Sequence, residues 1–471
     1  MKKTSYDLTR GNITKGLLAV ATPVILTSFA QMFYNMTDII FLGKFSKEAV
    51  SSAGLGGFYV WMAAAVFLLG KIGTEIKVSQ SIGKDNYDLA RSYARSGVQL
   101  QIILSILYGA VVYVMAKELI DFFKVEDTTV IENAIIYLRY MSIGFIFYCL
   151  NPVLSGAMNG TGKTVAPFVI SASGLLFNIV LDYILIIRLG YGVEGAAFAT
   201  VVSQGLVTLI FLIYFTYNKY SILHKAKILT HIEPDKMYTI LKLGTIVAIH
   251  SALFTAISMW VSRIVSGYGA DAIAVQKVGS QIESLSWRTA SGIQTALAAF
   301  VGQNYGAKRY KRIVRGYRSA MTFMGIYGLI ITVGMFVFAA PLFNLFMDYK
   351  ETTRMGVDYL QILAASQVFM IIEMTTAGAF NGLSKTSPPA IISIVFNALR
   401  IPGAIILTWY MGLNGIWLAI SISSVFKGVL LLTWFILYLK RKRHEWDREE
   451  EEAHQEEMSI EEAYFGETIK V

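Results

Sequence analysis

Charge is what this sequence has least of. Asp, Glu, Lys and Arg together make up 15% of its 471 residues, where a soluble domain carries about 25%. With 55% apolar residues and a mean hydropathy of +0.54, most of the chain must face lipid or other helices. A single cysteine, Cys149, excludes an intrachain disulfide, and in its apolar setting it reads as a small buried hydrophobe. Five scattered histidines and that one cysteine make neither a zinc site nor a redox pair. No Walker sequence is present, so neither ATP hydrolysis by this chain nor any enzyme activity is expected, and no cofactor. Proline is scarce at 8 while glycine reaches 39, a balance that suits close-packed membrane helices. The first apolar run, from about Gly16 to Leu42, is too long for the core of a cleavable signal, and more spans follow.

What is present in abundance is long apolar runs. A span needs roughly 20 mostly apolar residues to cross about 30 Å of hydrocarbon. Runs of that kind centre near residues 29, 68, 105, 144, 176, 206, 253, 288, 329, 370, 398 and 426, which predicts about twelve transmembrane helices and an all-α integral membrane protein. The net charge of +9 does not point to nucleic acid, because most Lys and Arg lie in short loops. About 24 of them fall in the termini and alternate connections, among them Lys84, Arg91, Lys163, Lys308 to Arg318, Lys385 and Lys440 to Arg443. About 7 fall in the other set: Lys44, Lys47, Lys117, Lys124, Arg188, Lys350 and Arg354. The excess places both termini in the cytoplasm.

The chain also repeats itself at a shift of roughly 220 residues. Asn159-Gly160-Thr161-Gly162-Lys163-Thr164 recurs as Asn381-Gly382-Leu383-Ser384-Lys385-Thr386, and Phe177-Asn178 as Phe396-Asn397. Gln80-Ser81-Ile82-Gly83 matches Gln303-Asn304-Tyr305-Gly306. Six spans per half is an even number, so the repeats are parallel and related by an axis along the membrane normal. The expected units are a bundle over 1–218, a linker over 219–239, a second bundle over 240–440 and an acidic tail over 441–471. The Glu-rich tail reads as solvated helix or disordered chain.

Ionisable groups inside the spans each need a reason, since one costs about 2.5–3.5 kcal/mol at mid-bilayer on insertion scales. Lys71 and Glu75, at i and i+4, are placed to pair. Asp38 and Asp182 have no such base on their own helices, and the amides of Asn35 and Asn178 share their faces. A carboxyl beside amides can hold a proton or a cation. The second half carries Glu283, Arg288, Glu373 and Arg400, which as opposite-sign pairs are placed to neutralise one another, or else to line a substrate site. Trp61, Tyr148, Trp260, Trp287 and Trp409 read as packing or interface aromatics. Pro23 and Pro402 each remove a backbone donor inside a span and are expected to kink it.

Thr37-Asp38-Ile39-Ile40-Phe41-Leu42-Gly43, Gly302-Gln303-Asn304-Tyr305-Gly306-Ala307-Lys308 and Asn178-Ile179-Val180-Leu181-Asp182 together resemble the multidrug and toxic compound extrusion (MATE) family, over about residues 10–440. The resemblance implies two six-helix bundles in a V-shaped transporter, and efflux of organic cations and other amphipathic compounds in exchange for H⁺ or Na⁺. The partners are then a small-molecule substrate and the bilayer of the cell membrane, with a monomer expected. In the DinF-like branch two aspartates of the N-terminal half carry coupling. They correspond to Asp38 and Asp182, with Asn178 and Thr200 as polar neighbours, Asn151 as a further asparagine and Pro23 as a bending proline. The NorM-like branch relies on acids of the C-terminal half, where Glu283 and Glu373 lie with Arg400, so the branch stays open. The alternative within the superfamily is a lipid-linked saccharide flippase, whose cavities usually carry several bases. Few intramembrane bases are visible here, which favours a cationic substrate.

Overall fold

The computed structural model describes residues 7–123, 125, 127–224, 231–345 and 350–468, with a few helical side chains (Asn35, Lys47 and Lys350 among them) outside the description. Of what carried expectations above, Lys124, residues 1–6, residues 225–230 of the linker, residues 469–471 and the side chains of Asn35, Lys47, Lys350 and the tail from 456 on therefore lie outside the described residues.

The first half consists of α1 (Ile13–Phe45), α2 (Lys47–Gly83), α3 (Tyr87–Val114), the short α4 (Ala116–Asp121), α5 (Thr128–Gly160), α6 (Val165–Asp182) and α7 (Gly192–Tyr217). A π-helical turn, Tyr183–Arg188, continues α6. The second half repeats the series with α8 (Pro234–Ser266), α9 (Ala270–Gly306), α10 (Tyr310–Val337), the short α11 (Ala339–Asn344), α12 (Lys350–Gly382), α13 (Ser387–Ala398), α14 (Arg400–Met411) and α15 (Leu413–Thr468). Local chemistry sets several boundaries. Ser46 ends α1 through its own N–H to the Leu42 carbonyl and starts α2 by accepting from Ala49 N–H on its hydroxyl. Asn86 and Asp127 cap α3 and α5 in the same way, supplying an acceptor to N–H groups that the first turn leaves orphaned.

Among the described residues, eleven helices are long and apolar enough to cross a membrane, with α13 and α14 acting as one. The twelfth crossing is α9, whose 37 residues reach about 55 Å. Its apolar character is diluted by Lys277 and Glu283, which line a cavity, and by Arg288, whose Nη1 donates to the Ser28 carbonyl of α1 at 2.8 Å. A helix that faces other helices has no need of an all-apolar surface. Pro402 explains the discontinuity at Leu399 between α13 and α14: its missing N–H leaves the carbonyl of Ala398, the last residue of α13, without its helical donor.

The two halves meet through their repeated sequence. Gln80 Nε2 donates to the Gly382 carbonyl at 2.9 Å, and Gln303 Nε2 donates to the Gly160 carbonyl at 3.0 Å. Each bond joins one repeat to the opposite one, as a pseudo-twofold axis requires. Glycine makes the approach possible. A Cβ on Gly83 would stand 1.9 Å from Gln303 O, and one on Gly306 would stand 2.0 Å from Gln80 O.

This closed end is also the basic end. The carbonyls of Leu8, Thr9 and Arg10 accept from Asn304, Arg309 and Arg312, which pins the N-terminal segment there. The linker docks there as well. Glu233, just before α8, accepts from Ser92, Arg95 and Lys236, and these donors hold its carboxyl down at about 2, Lys236 first. Of the two forms expected for the acidic tail, solvated helix or disordered chain, the helix is the one found, and its first turns pack on the bundle. α15 continues unbroken past residue 440 to Thr468, carried by the i,i+3 and i,i+4 pairs Lys442–Glu445, Arg443–Asp447 and Arg448–Glu452. Trp446 stacks on Tyr310 with centroids 4.8 Å apart, and Lys311 N–H donates to Glu450 at 3.2 Å.

Candidate functional site

In the first half, α1 and α6 bring Asp38 and Asp182 together, with their carboxyls in hydrogen-bonding contact. Two carboxylates offer only acceptors, so this contact is a bond only when one of them carries a proton. Asp182 is fully buried, and no hydroxyl or amide among the described residues donates to its oxygens. It ends α6 at the point where the helix loosens into the π turn, a distortion frequent at functional sites. Asn178, one turn earlier, is buried with both side-chain polar atoms lacking a partner among the described residues. Thr200 is buried on α7. Tyr137 of α5 interacts electrostatically with both acids. It carries no sequence signal, being one tyrosine among 26.

Asn151 is elsewhere. It lies 14 residues beyond Tyr137 on α5, roughly 21 Å along the helix. Its Nδ2 donates to Gln204 Oε1 at 2.9 Å, and its Oδ1 accepts from Thr208 at 2.7 Å. Thr200, Gln204 and Thr208 stand one turn apart on α7, so a polar stripe runs from the level of Thr200 to Asn151. Asn151 and Gln204 line a cavity of about 260 Å³ together with Lys71 and Tyr148. Lys71 and Glu75 interact electrostatically as their spacing allows, but without a closed ion pair among the described residues, where Glu75 Oε1 finds no hydrogen-bond partner.

The second half holds a larger cavity of about 710 Å³, with Trp61 of α2 on its wall beside Trp287, Glu283, Glu373 and Arg400. Among the described residues the expected opposite-sign charges close no ion pair with one another, although Arg400 is an electrostatic neighbour of both Glu373 and Glu283. Glu283 accepts from Gln367 at 2.9 Å and from Tyr359 at 3.2 Å. Arg288 goes to α1, as described above. Arg400 donates through Nε to Ser423 at 2.6 Å and through Nη2 to Ser424 at 3.1 Å. The partner of Glu373 is Lys427, 3.0 Å away on α15, with Ser393 donating to its other oxygen at 2.5 Å. Lys427 and His250, both lining the cavity, went unnoticed in the sequence. The signal was there for Lys427, a lone base in the middle of an apolar run. Cys149 is buried, with its Sγ 3.8 Å from the Ala63 carbonyl.

The MatE family profile matches residues 23–184 and 247–406, one stretch in each half. The chain belongs to the MatE family. A probable multidrug resistance protein NorM of Thermotoga maritima is 27% identical to it, over 93% of this chain and 95% of that protein. An FAD transporter of Shewanella oneidensis is 21% identical, over 91% and 95%. Among solved structures, a MATE transporter in complex with MaD5 superposes with a TM-score of 0.87 at 21% identity, over 94% of this chain and all of that one. MatE proteins are multi-pass membrane transporters of the multidrug efflux class, and the fold here is theirs. Neither relative is named for moving lipid-linked saccharides, so the flippase alternative is not favoured.

Proposed function

We propose that this MatE protein is a secondary antiporter of the cell membrane that exports amphipathic organic compounds in exchange for a cation taken up at Asp38 and Asp182. The observation that carries the proposal is the direct contact of the buried Asp182 carboxyl with that of Asp38 between α1 and α6. Two like charges side by side away from water are costly, so a cation must enter before the helices can pack as they do. That no other donor among the described residues reaches Asp182 favours a proton, which one carboxyl can donate to the other. Sodium, coordinated by carboxylate and amide oxygens, is the alternative. Asn178 and Thr200 are proposed as polar neighbours of that ion, Asn151 as a more distant polar contact, and Pro23 as the point where α1 bends. Both termini are proposed to be cytoplasmic, which makes the closed basic end the inner one, and the working unit a monomer.

A cationic substrate exchanging at the acids is a second reading, favoured by the pair itself. The larger cavity lends it little, since Arg400 and Lys427 stand beside Glu283 and Glu373 there.

The test is transport in proteoliposomes with a pH gradient or a Na⁺ gradient imposed separately. Efflux of a fluorescent amphiphile should follow the pH gradient and stop in Asp38→Asn. Efflux that ignores pH and follows Na⁺ would make sodium the coupling ion. Efflux that responds to neither gradient would end the antiport proposal.

A further inference from the structure

The second half repeats the surroundings of the acid pair with the charge reversed. Asn178 and Asn397 correspond in the internal repeat, each next after a phenylalanine. Both are 1% exposed, and neither has a partner for its amide oxygen or nitrogen among the described residues. Each stands within about a turn of a break in its helix, the π turn after Asp182 in one case and the discontinuity at Leu399 in the other. The charge beyond the asparagine differs. One turn on, the first half presents Asp182 and the second half presents Arg400.

The hydrogen-bonding inventory of the large cavity is unbalanced in the same direction. Both acids are already supplied: Glu283 by Gln367 and Tyr359, Glu373 by Ser393 and Lys427. Arg400 has five N–H donors, of which the two serines take two. Lys427 has three and, among the described residues, meets Glu373 alone. Asn397 Nδ2 adds another donor with no acceptor. Arg400 and Lys427 are electrostatic neighbours of Glu373 and of each other, so two buried bases share one cavity with two acids whose four oxygens are each already engaged. The walls are aromatic. The guanidinium of Arg400 lies 6.0 Å from the Phe254 ring centroid, and Trp61 and Trp287 line the same space. At about 710 Å³, the cavity is of the size that encloses a small organic ligand.

We propose that this cavity binds the anionic group, a carboxylate or a phosphate, of an aromatic compound, held by Arg400, Lys427 and Asn397 with its ring against Trp287 and Phe254. The proposal rests on the antiporter reading in taking the cavity as the place where substrate sits, and it gives that substrate its chemical class.

Equilibrium binding to the purified full-length protein, without any gradient, tests the proposal independently of transport. The probes are 1-naphthyl phosphate and 1-naphthylmethylamine, which share a ring system and differ in charge. The phosphate should bind at least about tenfold more tightly than the amine. Arg400→Gln should weaken it about ten- to a hundredfold, the worth of a hydrogen bond to a charged group. Because Arg400→Gln removes a buried cation and can unfold the chain, the neutral pair Glu373→Gln/Lys427→Gln serves as a second variant and should also weaken phosphate binding. Tighter binding of the amine, or unchanged phosphate affinity in both variants, would overturn the proposal. Occupancy by phosphatidylglycerol with no binding of naphthyl phosphate would make the occupant a lipid headgroup and overturn it equally. A protein that binds naphthyl phosphate but moves it under neither gradient would support the site while removing the antiport reading.

Discussion

Asp38 and Asp182 differ from the other membrane acids in what faces them. Glu283 and Glu373 each receive two donors, whereas Asp182 faces a second carboxyl. Satisfied acids are structural as they stand; an acid facing an acid must bind something. Asp38→Asn and Asp182→Asn should therefore abolish gradient-driven efflux while leaving folded protein in the membrane, checked by transport alongside size-exclusion chromatography. The Glu373–Lys427 pair should behave in the opposite way. Losing either member alone strands a buried charge and should cost about 3–5 kcal/mol, while replacing both should recover most of that, as thermal unfolding of the three variants will read. Glu233 gives a pH signature outside the membrane. Its carboxyl is held at about 2 by Lys236, Ser92 and Arg95, below its unfolded value of about 4.3. The docking of the linker on α3 is then fully present above the unfolded value and lost as pH falls toward 2. Hydrogen exchange at residues 88–99 should rise across that window, and Glu233→Gln should show the raised exchange already at neutral pH.

At the scale of elements, the basic end is closed by two reciprocal bonds, Gln80 to Gly382 and Gln303 to Gly160. Because they are related by the repeat, Gln80→Ala and Gln303→Ala should each cost the closed state about 1 kcal/mol and by similar amounts, a symmetry that unrelated contacts would not share. Spin labels on the ends of α2 and α9 should report a larger separated population in both. The same end receives the first turns of the tail. Trp446→Ala removes the stack on Tyr310, a contact worth about 0.5–1.5 kcal/mol beyond its buried area, and should release the extension of α15 to proteolysis without unfolding the bundles.

For the whole molecule, the charge of the substrate decides how voltage enters. A proton moving down one pH unit releases about 1.36 kcal/mol, and an inside-negative potential of 100 mV adds about 2.3 kcal/mol per charge. One-for-one exchange of a proton for a monovalent cation is electroneutral, leaving the pH term and roughly tenfold depletion. Exchange for a monovalent anion moves two charges' worth of potential, about 6 kcal/mol in all, or roughly four powers of ten. Clamping the membrane potential at zero should therefore cripple export of an aromatic anion and leave export of a cation unchanged. Topology belongs to this scale too. In a Cys149→Ser background, cysteines placed singly at Lys311 and Tyr191 should label from opposite faces of intact cells, the first only from inside.

Much of this was legible along the chain because a bilayer leaves few choices. Apolar runs of twenty residues have to be spanning helices, and a repeat with an even number of spans has to be parallel, so the all-α transporter fold and the duplication came from composition and order alone. That Asp38 and Asp182 each lack a base within one turn was readable, since a group buried in lipid demands a partner; that they meet each other was not. Which partner each charge takes was not readable. Arg288 reaches α1, Glu373 reaches Lys427 on α15, and Asn151 turns to Gln204 and Thr208 rather than to the acids. Those choices depend on helix rotation and separation, which spacing along one helix cannot supply. The count that leaves one cavity with more donors than acceptors exists only once the helices of the second half have closed around it.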